Sequence, residues 1–167
     1  YRHWEANPDK RFHPIFKWFQ EWCNDEFSHG EAFALLMKSD PKLTSGFNVL
    51  LIKFFLTAVY STMWVRDHQR PAFHDALGVD VEWYGQEVFR KTSEMTKQIF
   101  PIVLDIDHPR WKRGLDAMQN ANAKIAEGKS QGGIAGKLKV MGNSIKAGVA
   151  FVSLMTVQSI KNQVPAS

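Results

Sequence analysis

The chain has 167 residues, 44% of them hydrophobic, with 12 Phe, 6 Trp and a net charge of +4. That is enough apolar material for one domain with a real core. Cys23 is the single cysteine, which excludes an internal disulfide and fits a reducing compartment. A nucleic-acid partner is also excluded as the meaning of the basic balance, because the lysines lack interleaved arginine and aromatic residues and no nucleic-acid-binding motif occurs.

The opening YRHWEANPDKRF starts at Tyr1, carries no signal-like or transit-like leader, and reads as the end of an earlier element. A fragment of a longer protein is therefore expected. One long helix is predicted from Phe12 to Met37, with Pro14 in its first turn and Ser39, Asp40 and Pro41 marking its exit. At about 100° per residue, Phe19, Cys23, Phe33 and Met37 share a stripe flanked by Phe16, Trp22 and Leu36. Lys17, Gln20, Glu21, Asn24, Ser28 and Glu31 fall on the opposite arc.

Two residues break this pattern. Glu26 lies at the centre of the apolar stripe and His29 on its edge, beside Trp22 and Leu36. A buried carboxylate is costly unless it is paired or bound to a metal. Glu26 and His29 are three residues apart, hence neighbours on one face. A Glu-x-x-His pair from each of two helices, with a lone Glu from each of two others, builds the di-iron site of ferritin-like bundles, and these donors suit iron. The competing reading pairs Glu26 with a buried arginine and leaves His29 as a satisfied edge histidine. Cys23, one turn before Glu26, reads as a small buried hydrophobe.

A second helix is predicted over Phe47 to Asp67, with Thr44 or Ser45 as its cap. Its apolar run approaches membrane-spanning length, but Lys53, Thr57, Ser61 and Thr62 favour a helix buried on most sides. Arg66, Asp67, His68, Gln69 and Arg70 follow as a polar knot, which Pro71 ends. Arg66, Asp67, His68 and Arg70 are candidates to position a metal ligand or to hold a carboxylate of the substrate. The alternative is a helix C-terminus dressed with cations that favour the dipole.

A short turn over Ala72 to Leu77 ends at Gly78, and Asp80 caps a third helix running to about Phe100. Glu82, Glu87 and Glu94 are the downstream glutamates before the tail, and a lone-Glu ligand is to be sought among them. Glu94, beside Lys91 and Lys97, also reads as part of a solvated face. LDIDHPRW is expected to be a loop, with Asp107 capping a fourth helix that begins near Pro109 and closes at Gly128. From Gly128 the composition turns rich in Gly, Lys and Ser, so a flexible junction is expected, followed by an apolar segment too short to span a bilayer. Residues 121–167 carry a net +5 and residues 1–120 a net −1. An apolar patch fringed by lysine suits an anionic membrane surface. A mobile tail, or a helix packed on an absent part of the protein, is the other reading.

The stretch HPIFKWFQEWCNDEFSHGEAFALLMKSDPKL, followed by FFLTAVYSTMWVRDHQRPAFHDALGVD, closely resembles the oxygen-dependent magnesium-protoporphyrin IX monomethyl ester oxidative cyclase family. WCNDEFSHGEAF, VRDHQRPAFH and, more loosely, QIFPIVLDIDHPRW carry the resemblance, which covers roughly residues 1–115. It implies an all-α, ferritin-like di-iron helical bundle, of which residues 1–127 form a C-terminal part with additional helices. Residues 128–167 would then be a basic junction and amphipathic tail. Glu26 and His29 become iron ligands in the second of two ExxH motifs, and the rest of the two-iron centre comes from residues upstream. The implied reaction is oxygen-dependent closure of the isocyclic ring of chlorophylls and bacteriochlorophylls, drawing electrons from NADPH. No GxGxxG fingerprint occurs, so a reductase or ferredoxin must deliver them. An accessory cyclase subunit is a further candidate partner. The implied location is peripheral, on the cytoplasmic side of a photosynthetic membrane, or on a chloroplast membrane in a eukaryote. The fragment alone is expected to be inactive. The non-enzymatic alternative is a basic helical module that binds membrane or protein.

Overall fold

The computed structural model describes residues 5–11 and 13–164. Local chemistry sets most element boundaries. Pro14 opens a 3-10 turn, Pro14–Trp18, which leads into helix α1, Phe19–Ser39. The predicted helix thus begins as a tighter turn, and Phe12 lies outside the described residues. The Asp40 side chain then accepts from the Lys42 N–H at 2.9 Å and caps a second 3-10 turn, Pro41–Thr44. Helix α2, Phe47–His68, starts from Gly46 at φ 55°, not from a Thr44 or Ser45 side-chain cap. The left-handed backbone that turns the chain into α2 favours glycine over any capping residue.

Pro71 opens α3, Pro71–Leu77, and Gly78 closes it in the left-handed region. Asp80 accepts from the Trp83 N–H at 2.7 Å and caps α4, Val81–Thr96. The chain then forms strand β1, Ile102–Val103, which pairs antiparallel with β2, Ile160–Lys161. Helix α5, Pro109–Gln131, is capped by His108, whose Nδ1 accepts from the Arg110 N–H at 3.1 Å. Asp107 is not the cap, because Pro109 occupies the first helical position and the residue directly before it takes that role. Helix α6 is Gly133–Met155.

The core lies where α2, α4, α5 and α6 meet. Tyr60 and Trp64 from α2, Phe89 from α4, Trp111 and Leu115 from α5 and Leu154 from α6 form one cluster with Leu104. Tyr60 stacks on Phe89 with ring centroids 4.6 Å apart, and Trp111 meets Tyr60 edge-on. Each such buried side chain contributes about 1.5–3 kcal/mol of transfer free energy. A smaller cluster of Ile52, Phe100 and Ile102 takes in Met37 and so ties the end of α1 to α2.

The expected flexible junction after Gly128 is instead a tight helical hairpin. The last turn of α5 contains Gly128, Gly132 and Gly133 turn the corner at φ 65° and 62°, and α6 runs back along α5. A Cβ on Gly136 would collide with the Gly128 carbonyl, so small residues here serve close backbone approach. Composition alone does not separate these two uses of glycine.

Helix α2 is long and apolar enough to cross a membrane by length and composition. It is buried on one side, not on most sides. Ile52, Thr57, Tyr60, Ser61, Trp64 and Asp67 face inward, while Phe47, Leu50, Phe55 and Val59 are exposed. Lys53 reaches across to donate to the Val157 carbonyl at 2.7 Å, just past the end of α6, and partial burial lowers its pKa. Helix α6 has the same two-sided character. Gly136, Asn143, Ala150 and Leu154 pack inward, while Ile134, Leu138, Met141, Ile145, Val149 and Val152 are each more than half exposed.

Candidate metal site on the first long helix

Helix α1 carries Glu26 and His29 on adjacent positions of one face, as their spacing requires. The His29 Nδ1 lies 4.0 Å from the Glu26 Oε2, and its Nε2 lies 3.9 Å from the Asp25 Oδ1. The Trp22 indole N–H, one turn earlier, donates to the Glu26 Oε1 at 3.1 Å and fixes that carboxylate. The apolar stripe exists as predicted, but its burial does not. No residue of α1 is buried, and the Glu26 and His29 side chains are 64% and 70% exposed. The expectation of a carboxylate on a buried face is therefore corrected. A stripe is a property of one helix, whereas burial needs a second element laid over it, and α1 makes its main contacts with the turns at its own ends.

Glu26 nevertheless faces an apolar surrounding. A cleft of about 360 Å³ is lined by Phe19, Trp22, Cys23, Glu26, Phe27, Gly30 and, from α4, Met95. Glu26 is the only carboxylate among these residues. Farther along the same helix face, Phe33 and Met37 line a second apolar hollow of about 450 Å³ with Leu51, Phe55 and Val59 of α2. Cys23 is half-buried in the first cleft, as a small hydrophobe would be.

The donor set fits part of an iron site. A carboxylate and an imidazole one turn apart, with no arginine or lysine bonded to Glu26 among the described residues, are donors that iron accepts. The buried ion pair offered as the alternative for Glu26 does not form among the described residues. Two ligands do not complete a di-iron centre, and among the described residues no group of three His, Cys, Asp or Glu side chains gathers to hold a metal. Glu82 pairs with Lys112 at 3.2 Å, Glu87 with Arg90 at 2.6 Å, and Glu94 with Arg90 at 2.6 Å. These are solvated surface pairs, and the Arg90 hydrogen bond is the main reason the Glu87 carboxyl titrates below its usual range.

The polar knot sits elsewhere. Arg66 donates through Nε to the Oδ1 of Asp67 at 3.0 Å, its Nη2 forms an ion pair with the same oxygen at 3.0 Å, and Asp67 is buried. The His68 Nδ1 lies 2.8 Å from the Trp64 carbonyl and its ring lies tilted against Trp64, centroids 4.2 Å apart, while Arg70 is exposed. Tyr84 stands close enough that the Asp67 charge reinforces the upward push of burial on its phenol, against Arg66. Tyr84 and Met95 lie eleven residues apart on α4, or about 16 Å at 1.5 Å per residue. The knot and the Glu26 cleft thus occupy different ends of α4, and the structure does not bring Arg66, Asp67, His68 or Arg70 to Glu26.

The sequence reading missed His74. It is buried, its ring lies 5.1 Å from Tyr84, and its Nδ1 has no hydrogen-bond partner among the described residues. The signal available was its place on a short helix following the knot. Nothing local marks it as inward-facing.

The Rubrerythrin family model matches residues 1–37, a span that contains Glu26 and His29. The aerobic magnesium-protoporphyrin IX monomethyl ester oxidative cyclase of Rubrivivax gelatinosus is 45% identical over 99% of this chain and 46% of its own length. A cyclase of the same name from Synechococcus sp. (strain CC9311) is 45% identical over 75% of this chain and 35% of its own length. The chloroplastic cyclase 1 of Chlamydomonas reinhardtii is 41% identical over 76% and 31%. The chain spans less than half the length of these curated relatives. No solved structure matches it significantly. The chain is thus similar over almost its whole length to a magnesium-protoporphyrin IX monomethyl ester oxidative cyclase, and its fold is all-α and of the ferritin-like di-iron type.

Proposed function

We propose that this chain supplies part of the active site of an oxygen-dependent oxidative cyclase acting on magnesium-protoporphyrin IX monomethyl ester, with Glu26 and His29 as two ligands of a di-iron centre. The observation that carries this reading is the placement of Glu26. Its carboxylate is fixed by Trp22 next to an imidazole, and it is the only carboxylate in an apolar cleft. Iron held there would supply reductive activation of dioxygen for oxidation of the methyl-propionate side chain that ends in ring closure. The electrons come from NADPH through a reductase or ferredoxin, and an accessory subunit is a further partner.

The chain's own residues bind and orient. Trp22 holds the Glu26 carboxylate in one rotamer, and His29 presents its imidazole beside it. Phe19, Trp22, Phe27 and Met95 give the flat macrocycle an apolar wall and keep water from the reacting edge. Glu26 and His29 serve as ligands in this scheme, not as acid–base groups. The remaining ligands lie beyond this chain, which by itself is inactive.

The outer stripe of α6 favours a second role on the same molecule. Six exposed apolar side chains run along one face, Lys137 and Lys146 flank it, and the helix carries no acidic residue. That pattern suits peripheral attachment to an anionic membrane, consistent with a location on the cytoplasmic side of a photosynthetic membrane.

The test uses the complete protein. Glu26→Ala and His29→Ala each abolish stoichiometric iron and cyclase activity, while the denaturant midpoint stays near that of apo wild type. Removing one partner of a buried ion pair would instead cost about 3–5 kcal/mol. Retained iron with a collapsed midpoint would sink the di-iron reading.

A further inference from the structure

A groove between the start of α5 and the second half of α6 gathers positive charge that no carboxylate answers. Its volume is about 490 Å³, and it is lined by Arg110 and Arg113 from α5 and Lys146 from α6, with no acidic residue. Nearby cations do find carboxylates: Arg90 takes Glu87 and Glu94, and Lys112 takes Glu82 and Asp116. Arg110, Arg113 and Lys146 make no ion pair among the described residues. Local hydrogen bonds use little of their capacity. Arg110 donates through Nη2 to the Thr156 Oγ1 at 2.8 Å, and Arg113 donates through Nε to the Pro109 carbonyl at 3.2 Å. The two Nη groups of Arg113 and the Lys146 ammonium are left to face outward.

Helix electrostatics does not account for this charge. The N-terminus of a helix is the positive end of its peptide dipoles, so it favours acidic side chains and disfavours cations. The first turn of α5 contains no acidic residue, and Arg110 and Arg113 stand in its opening turns. The negative C-terminal end of α6 accounts for Arg110 through Thr156. It does not reach Lys146, which lies nine residues before Met155, or about two and a half turns. The groove is also amphipathic. Gly114 and Ala150 are buried within it, while Ile145 and Val149 are exposed and belong to the outer apolar stripe of α6.

We propose that this groove binds the phosphate headgroup of an acidic membrane lipid. Arg113 and Lys146 hold the phosphate, Arg110 stands beside them, and the acyl chain lies along Ile145 and Val149. Guanidinium and ammonium donors suit phosphate oxygens, and the apolar side chains that continue from them suit hydrocarbon. A free inorganic anion would leave the apolar side without a partner. This inference rests on the peripheral membrane attachment proposed above and adds to it a defined headgroup contact.

The experiment uses the complete protein, as wild type, as the groove double variant Arg113→Gln with Lys146→Gln, and as the control double variant Lys124→Gln with Lys129→Gln. Both variants lose two positive charges, and the control residues lie on α5 outside the groove. Three quantities are read: melting temperature, sedimentation with vesicles, and titration with a short-chain phosphatidylglycerol below its micelle concentration or with inorganic phosphate. The vesicles are phosphatidylcholine alone or phosphatidylcholine with phosphatidylglycerol, at low salt. The groove variant should bind the phosphatidylglycerol vesicles roughly thirty-fold more weakly than wild type, the effect of two basic residues lost at an anionic surface. The control should lose no more than about three-fold, as expected for charges farther from the bilayer. The short-chain lipid should saturate wild type but not the groove variant, and inorganic phosphate should compete only weakly. The melting temperature of the groove variant should not fall, because two uncompensated cations are removed. Equal losses from the two variants would reduce the groove to diffuse charge and overturn the proposal. Inorganic phosphate binding as tightly as the short-chain lipid would overturn the lipid as its source. A falling melting temperature would make the cations structural and overturn it as well. Wild type that prefers anionic vesicles while the groove variant matches it removes this inference alone. Wild type that binds no vesicle removes the attachment reading and this inference with it.

Discussion

Helix α1 and the four-helix body are built from similar materials and end in opposite states. Both contain amphipathic helices with abundant aromatic residues. In the body, Trp64 and Trp111 are 2% exposed and Leu115 is 1% exposed, because α2, α4, α5 and α6 each present an apolar face to another. In α1, Trp22, Phe27, Phe33 and Leu36 are all more than half exposed, although their spacing is just as regular. The difference lies in partners, not in pattern. The body packs its inner faces against one another, and the helix that carries the candidate ligands leaves its stripe unpacked. A ferritin-like metal centre is assembled from several helices, so the ligand helix is the element whose inner face depends most on chain beyond its own.

The sharpest way to break that comparison is to truncate one aromatic on each side. Trp111→Ala in this chain should cost about 3–5 kcal/mol, the range for a large buried aromatic. Phe33→Ala should cost no more than about 0.5 kcal/mol, as for other surface substitutions. Denaturant midpoints of the two variants check this directly. A similar loss from both would mean that the α1 stripe is packed against another element in solution.

The outer face of α6 sharpens the comparison further, since it is an uncovered stripe inside the well-packed body. Replacing Leu138 and Ile145 together with Glu removes apolar area and opposes the lysine fringe. Binding of the complete protein to anionic liposomes should fall by at least about ten-fold at low salt. Sedimentation at low and high salt, with neutral vesicles as the control, reads the effect. Equal binding by the variant and the wild type would leave α6 as a protein-facing helix.

Arg70 should give the smallest change in stability. Arg70→Ala should shift the unfolding free energy by only about 0.3–1 kcal/mol, the worth of a solvated cation near a helix end. If the knot touches substrate or a partner in the complete enzyme, turnover should fall by more than that shift explains. A matched loss of melting temperature and turnover would place Arg70 in the packed body alone.

The sequence by itself determined whatever depends on neighbours a few residues away. Pro14, Pro41, Pro71, Gly78 and Asp80 mark the ends of turns and helices because their effects act through one or two peptide units. The closeness of Glu26 and His29 follows from helix geometry alone. Tertiary structure decided the rest. It left the Glu26 face uncovered, turned the Gly-rich junction into a hairpin corner, and paired β1 with β2 across nearly sixty residues of chain. It also buried His74 and set the polar knot at the far end of α4 from Glu26. Burial, hairpin packing and strand pairing are each made by two segments distant in sequence. The pattern on one segment states which face wants a partner, and only the folded chain shows whether that partner is there.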